Sequence, residues 1–266
     1  MKTKTSEVKE HSEFGGSQAK KIKNCPASVL RSRGIPQGAS SPASMGGTAA
    51  HACLEFMVNN REALMKKSTR LKILKAAKRK FTMCPLEDGS GKEIKILWTQ
   101  AMIDDALDAL TYIMKALAPD HTVYVETKLD SSKFTTTGQF SSLDVGIANW
   151  SARELIVIDY KYGKHPVPAK KNDQLIYYAL ALLLKLKAWK KIDRVRLVII
   201  QPNGGGIREW WCDVDYLIKW GRKFRKITKL ALTKKAPAKY GEWCFFCPAK
   251  KTCPTFKNEM AKKDFA

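Results

Sequence analysis

The chain reads as an α/β protein with a central mixed β-sheet flanked by helices. Two patterns predict this. From Thr99 to Leu117 apolar residues recur at helical spacing (Ile103, Ala106, Leu107, Leu110, Ile113, Met114), so one helix face must be covered. Directly afterwards Val123–Leu129, Phe140–Ala148 and Leu155–Tyr160 are rich in β-branched and aromatic residues, the mark of strands. A long helix from Asn172 to Trp189 follows, then two more strands, Val195–Gln201 and Ile207–Val214, around the turn Pro202–Gly206.

The remaining elements fall on either side. Residues 1–23 are polar and lysine-rich and read as a flexible basic arm. Arg31 to Met45 is a loop rich in Gly, Pro and Ser. A helix is expected from near Gly46–Thr48 through HACLEFMVNNREALMKK, with Thr48 as its cap. Lys66 to Lys80 is dense in Lys and Arg, as a solvated helix face or a phosphate-contacting stripe in equal measure. Glu87 to Lys92 contains Asp-Gly and Ser-Gly and breaks the chain. Val214 to Leu232 reads as a basic helix. The expected division is an arm over 1–23, a core over 24–236 and a cysteine-bearing segment over 237–266 packed on that core.

The charge bears on partners. There are 48 basic and 25 acidic residues, a formal balance of +23. Such an excess favours a polyanion. The longest apolar run, Leu175 to Leu184, is far shorter than the ~20 residues a membrane span needs. No hydrophobic stretch opens the sequence, so a secretory signal is not expected. A cytoplasmic location and a nucleic-acid partner are the expectations.

The chemistry concentrates on one hairpin. Asp144 lies seven residues before Ser151 and Asp159 seven after Ala152. A turn at that junction sets the two opposite each other, on one face of the sheet. Lys161, two residues on, shares that face. Opposed carboxylates repel, and Asp159 ends the apolar run Leu155-Ile156-Val157-Ile158, which should be an interior strand. A divalent cation, Mg²⁺ or Mn²⁺ by the hardness of the ligands, would compensate. An isolated D-x-K is more simply a structural pair, but three further motifs accompany it. His51 lies about a helical turn before Glu55. Gln174 and Tyr178 are four apart on the next helix. Glu126 sits on the preceding strand, facing the site or solvent with equal weight.

Taken in order, these motifs resemble the RecB-type branch of the PD-(D/E)XK nucleases. G-T-x-x-H is matched by Gly47, Thr48 and His51, the strand Asp by Asp144, D-x-K by Asp159 and Lys161, and Q-x-x-x-Y by Gln174 and Tyr178. The likeness runs from about Cys25 to Cys253, and is close to small phage and prophage nucleases and to the nuclease of CRISPR adaptation. In that branch a Gly stands close before the strand Asp; here Gly138 is six residues before Asp144, with Ser141 and Ser142 between. The resemblance implies a restriction-endonuclease-like core, metal ligands His51, Asp144 and Asp159, a catalytic Lys161, and Gln174 and Tyr178 positioning DNA or supporting the site.

Seven cysteines in a chain expected in the cytoplasm argue against a disulfide framework. Cys244, Cys247 and Cys253 cluster, and a four-thiolate site needs one more, for which Cys25 is the candidate. Zinc suits C-x-x-C at least as well as iron. The resemblance, with one early and three late cysteines, implies a four-iron four-sulfur (4Fe–4S) cluster stapling the two ends of the chain. Cys53, Cys84 and Cys212 are more simply small buried residues.

The leading expectation is therefore a Mg²⁺- or Mn²⁺-dependent DNA exonuclease, acting on single strands or duplex ends. A role in phage recombination or replication, with a protein partner from that machinery, is implied by resemblance alone. The alternatives are a non-catalytic nucleic-acid-binding module with a structural four-cysteine metal site, and a structure-specific endonuclease. Trp210, Trp211, Trp243, Phe245 and Phe246 are candidates for stacking on unpaired bases, with core packing the plainer role for most.

Overall fold

A computed structural model describes residues 12–35, 41–86, 90–136 and 138–264. In chain order the elements are α1 (Ala19–Asn24), α2 (Ser28–Ser32), α3 (Pro42–Asn59), α4 (Arg61–Met65), α5 (Lys67–Ala77), β1 (Phe81–Pro85), β2 (Glu93–Leu97), α6 (Gln100–Lys115), β3 (His121–Asp130), β4 (Phe140–Asn149), β5 (Glu154–Tyr160), α7 (Asp173–Lys185), β6 (Arg194–Gln201), β7 (Gly206–Asp213), α8 (Val214–Ala231) and α9 (Pro254–Asp264). Five strands form one mixed sheet in the order β3-β4-β5-β6-β7, and only the central pair β5–β6 is parallel. Its crossover is α7, the connection a parallel pair requires.

Each face of the sheet carries its own core. On one, Leu155, Val157 and Leu197 pack with Leu175, Ala179, Leu182, Leu217 and Phe224 of α7 and α8. On the other, Ile147, Ile156 and Ile158 pack with Ala50, Leu54 and Met57 of α3 and Ile103 and Leu110 of α6. This explains why β5 reads as unbroken apolar sequence: all seven of its residues are buried. At Gly146 of β4 the Leu182 side chain of α7 packs directly on the backbone. A Cβ there would lie 2.5 Å from Leu182 Cδ2 and 2.8 Å from Leu143 Cδ2. Gly146→Ala is expected to destabilise by about 1–3 kcal/mol through overpacking, lowering Tm by several degrees in a thermal melt. An unchanged midpoint would mean that the two leucines give way freely.

Four expectations need correction. The supposed arm over 1–23 is packed from Phe14 onward: Phe14, Ala19 and Ile22 are buried under α7, and Phe14 O accepts from the Tyr177 hydroxyl at 2.7 Å. Three apolar residues among many lysines suffice to dock one side of α1; residues 1–11 lie outside the described residues. The helix bearing His51 starts at Pro42, not near Thr48. Pro is preset for the first turn and Ser41 supplies the cap, its side chain accepting from Ser44 N at 3.1 Å. The same helix stops at Asn59 instead of running on to Lys67. Finally, α7 stops at Lys185 short of Trp189, where Lys187 turns left-handed at φ 50°. The hairpin β1–β2 was not anticipated. Its strands are short and largely exposed, so they carry little alternation to read.

Candidate metal and carboxylate site

The β4–β5 register sets the central geometry. Val145 pairs with Ile158, so Asp144 and Asp159 are the next positions along both strands. Here β3 and β4 reverse their facing. Leu143 packs towards α7 while Val145, two residues on, packs towards α3. On β3, opposite Asp144, Glu126 has φ 40°, a left-handed conformation that a non-glycine residue adopts at some expense. This break gathers groups from both faces of the sheet.

His51 reaches in from α3. Its Nδ1 lies 3.4 Å from Asp144 Oδ2 and 4.0 Å from Glu126 Oε1. Asp144 Oδ2 also accepts from Tyr160 N at 2.8 Å, and Ser142 Oγ donates to Glu126 Oε2 at 3.2 Å. His51, Glu126 and Asp144 each offer a ligand atom, all within 4.8 Å of one another. Burial pulls the His51 pKa down, but Asp144 by charge and hydrogen bond, then Asp159 and Glu126, push it up to about 9. Burial works against the Asp144 charge, yet His51, the Tyr160 N–H and Lys161 hold its carboxyl below the usual range.

Asp159 lies deeper, 1% exposed on the central strand. Burial, and then the charge on Asp144, push its carboxyl up, with Lys161 offsetting part. Lys161 Nζ donates to Oδ1 at 3.2 Å and lies 2.9 Å from Oδ2, yet no hydrogen bond is directed at Oδ2, which is buried. Oδ2 therefore has an ion-pair partner in Lys161 but no well-directed hydrogen bond, and burial still penalises its charge.

The next helix props the lysine. Asn172 caps α7, accepting from Gln174 N and Leu175 N. This aims Gln174 back at the hairpin, where its Oε1 accepts from Lys161 Nζ at 3.1 Å and its Nε2 donates to the Tyr178 hydroxyl at 2.9 Å. A line of contacts therefore runs Asp159–Lys161–Gln174–Tyr178. Gln201, at the end of β6, holds the loop after Lys161 by donating to Gly163 O and His165 O and accepting from Val167 N. Sequence reasoning missed Gln201, although a buried polar residue closing the run Val198-Ile199-Ile200 was the available signal. Glu55 is not in the close ligand set; Glu126 is, and Asp159 stands beside that set instead of within it. Ser141, three residues before Asp144, occupies the place of the expected glycine and accepts from Gly16 N at 2.6 Å.

The four predicted cysteines line one pocket. Cys25, Cys244, Cys247 and Cys253 all border it, with Arg31, Lys239 and Trp243. Donors are aimed at the sulfurs: Arg31 Nη1 lies 3.0 Å from Cys253 Sγ and Lys239 N 3.4 Å from Cys25 Sγ. Ala27 N donates to Pro237 O, so the two ends of the chain meet here. Of the other cysteines, Cys53 and Cys84 are buried as expected, while Cys212 is half-buried.

A family model described as "Protein of unknown function (DUF2800)" matches residues 11–266. Among solved structures, one described as "Crystal structure of SSO0001" is similar over 94% of this chain and 90% of that chain, at 13% identity and a TM-score of 0.35. Among the described residues, no helix is long and apolar enough to cross a membrane.

Proposed function

The chain belongs to the DUF2800 family, and we propose that it is a divalent-metal-dependent DNA exonuclease built on a PD-(D/E)XK-type core. The observation that carries this is Asp159: a carboxylate buried on the central strand, one oxygen lacking a hydrogen bond, beside a lysine and three convergent ligand groups. Such an arrangement opposes folding and makes chemical sense where a cation completes it.

The donor set of carboxylates and one imidazole suits Mg²⁺ or Mn²⁺. His51, Asp144 and Asp159 would hold the metal, and Glu126 joins them as a ligand the sequence left open. When bound, the metal supplies Lewis acidity at the phosphate under attack. Lys161 stabilises charge developing on that phosphate, held in place by Asp159 on one side and Gln174 on the other. Gln174 and Tyr178 position that lysine. The cationic surface guides the DNA backbone without reading sequence: Arg222, Lys223, Arg225, Lys226 and Lys229 on α8 are all exposed.

For the thiols, a 4Fe–4S cluster fits the pocket. Cys25, Cys244, Cys247 and Cys253 all line it, which supplies the four thiolates such a group needs; a four-cysteine zinc site uses the same ligands.

The test is degradation of end-labelled linear DNA, single- and double-stranded, with Mn²⁺ or with EDTA, beside a closed circle. Shortening of linear DNA that needs the metal and spares the circle is expected. Lys161→Met should lower that rate about 10²–10³-fold with DNA affinity kept, the usual loss on removing one charge-stabilising group. Metal-independent cleavage, or none with intact binding, would leave a binding module; cleavage of the circle would indicate an endonuclease.

A further inference from the structure

Two phenylalanines stand exposed between two of the cysteines that line the pocket. Phe245 is 69% exposed and Phe246 86% exposed. They lie between Cys244 and Cys247, and their rings meet edge to face with centroids 4.7 Å apart. Neither packs in either core of the protein. The other aromatic candidates do not match this: Trp210 packs against the α7–α8 core, and Trp211 is engaged by Arg196, 4.6 Å from its ring.

Exposed pairs of this size mark a contact surface, and the surrounding charge says what kind. Lys250 Nζ lies 5.4 Å from the Phe245 ring centre and donates to Phe245 O at 3.3 Å. Lys239, Lys251 and Lys257 are exposed nearby in the same C-terminal segment. Two largely exposed rings, one already met by a lysine, match a base-and-phosphate ligand better than an apolar protein surface, which would leave the surrounding cations unpaired. The support is also firm. The pair directly follows a short 3-10 turn, Glu242–Cys244, and is bracketed by the bond from Cys247 N to Cys244 O at 3.1 Å. That turn is joined to the carboxylate site through α1, which packs against it and whose Lys23 donates to Asp173, the residue before Gln174.

We infer that Phe245 and Phe246, flanked by Lys250 and Lys251, form a stacking platform for unpaired nucleotides of a single strand. This rests on the nucleic-acid reading above, but not on catalysis. Stacking tolerates any base, since every base has a π-face, while the lysines track phosphates. The platform would bind the strand outside the place where it is cut.

The experiment measures fluorescence anisotropy of labelled oligo-dT and of a duplex, with full-length protein in EDTA so that nothing is cleaved. The F245A/F246A protein should bind oligo-dT at least about tenfold more weakly, the loss expected for one or two stacked bases. Duplex affinity should be unchanged, and F245Y/F246Y should restore oligo-dT binding. The Lys250→Ala/Lys251→Ala protein should instead flatten the salt dependence. Equal loss on both ligands, no loss on oligo-dT, or no oligo-dT binding by the wild type each overturns the platform, and a wild type still cleaving with Mn²⁺ leaves the nuclease reading standing. Sedimentation provides the remaining control: a wild-type dimer that becomes a monomer in F245A/F246A shows that a second copy covers the pair, and also overturns it.

Discussion

Asp159→Asn should abolish metal-dependent cleavage while leaving the fold as stable as before or more so. The loss expected is at least about 10³-fold, because a catalytic metal supplies several kcal/mol and each 1.4 kcal/mol is tenfold. Asp144→Ala should show the same loss. The stability half of the expectation separates function from structure. In the metal-free protein Asp159 is a carboxyl on a buried strand, with Oδ2 lacking a well-directed hydrogen bond and another carboxylate at the adjoining position. Lys161 offsets only part of that, which is why the carboxyl is pushed up. Replacing it with a neutral amide removes the repulsion but keeps the shape. Lys161 retains Gln174 Oε1 as a partner. A structural Asp159–Lys161 pair predicts the opposite: removing one member of a buried pair destabilises by several kcal/mol. Thermal melts in EDTA, beside cleavage assays in Mn²⁺ and DNA binding without metal, read both halves. A protein that still cleaves, or one that fails only because it melts far lower, would discard the assignment.

How far the sequence disclosed this site depends on which signals are local. The β4–β5 hairpin is local: two strands and a short turn place Asp144 and Asp159 by counting alone, and the observed register agrees. The Gln174 and Tyr178 pairing is likewise a matter of helical spacing. Glu126 was not legible in the same way. Its orientation depends on a left-handed backbone at one non-glycine residue in a strand, and nothing in the residues around it announces that kink. The docking of Phe14 and Ile22 was hidden for another reason. Their partners, Tyr177 among them, lie some 150 residues further on, beyond the reach of periodicity, and lysines dominate the local composition. The hairpin β1–β2 was not legible although Asp-Gly and Ser-Gly lie between its strands, because both strands are short and largely exposed and carry little alternation.

Cys25→Ser tests the other end of the molecule and carries the second large effect. Cys25 is the sole early cysteine on the pocket and the other three come from the last 23 residues, so a metal group shared by them, as proposed, would close a loop of more than 200 residues. By analogy with a disulfide of that length, the constraint on the unfolded chain stabilises by about 5 kcal/mol. At ~2–4 °C per kcal/mol for a chain of this size, Tm should fall by about 10–20 °C. Iron and the brown colour should be lost with it, whereas Cys212→Ser should keep both, since Cys212 lies on β7 away from the pocket. Zinc in place of iron in the wild type would correct the cofactor but not the staple; unchanged metal content in Cys25→Ser would remove the staple itself. Activity should follow stability only in part. The carboxylates sit on β4 and β5, which contribute no residue to the pocket, so the proposed metal ligands remain. What loosens is α1, which packs on the Glu242–Cys244 turn and whose Lys23 holds Asp173 at the start of α7. Gln174 follows directly and steadies Lys161. A cluster-free protein should therefore keep its metal affinity and lose cleavage rate, as a lysine held less firmly would dictate.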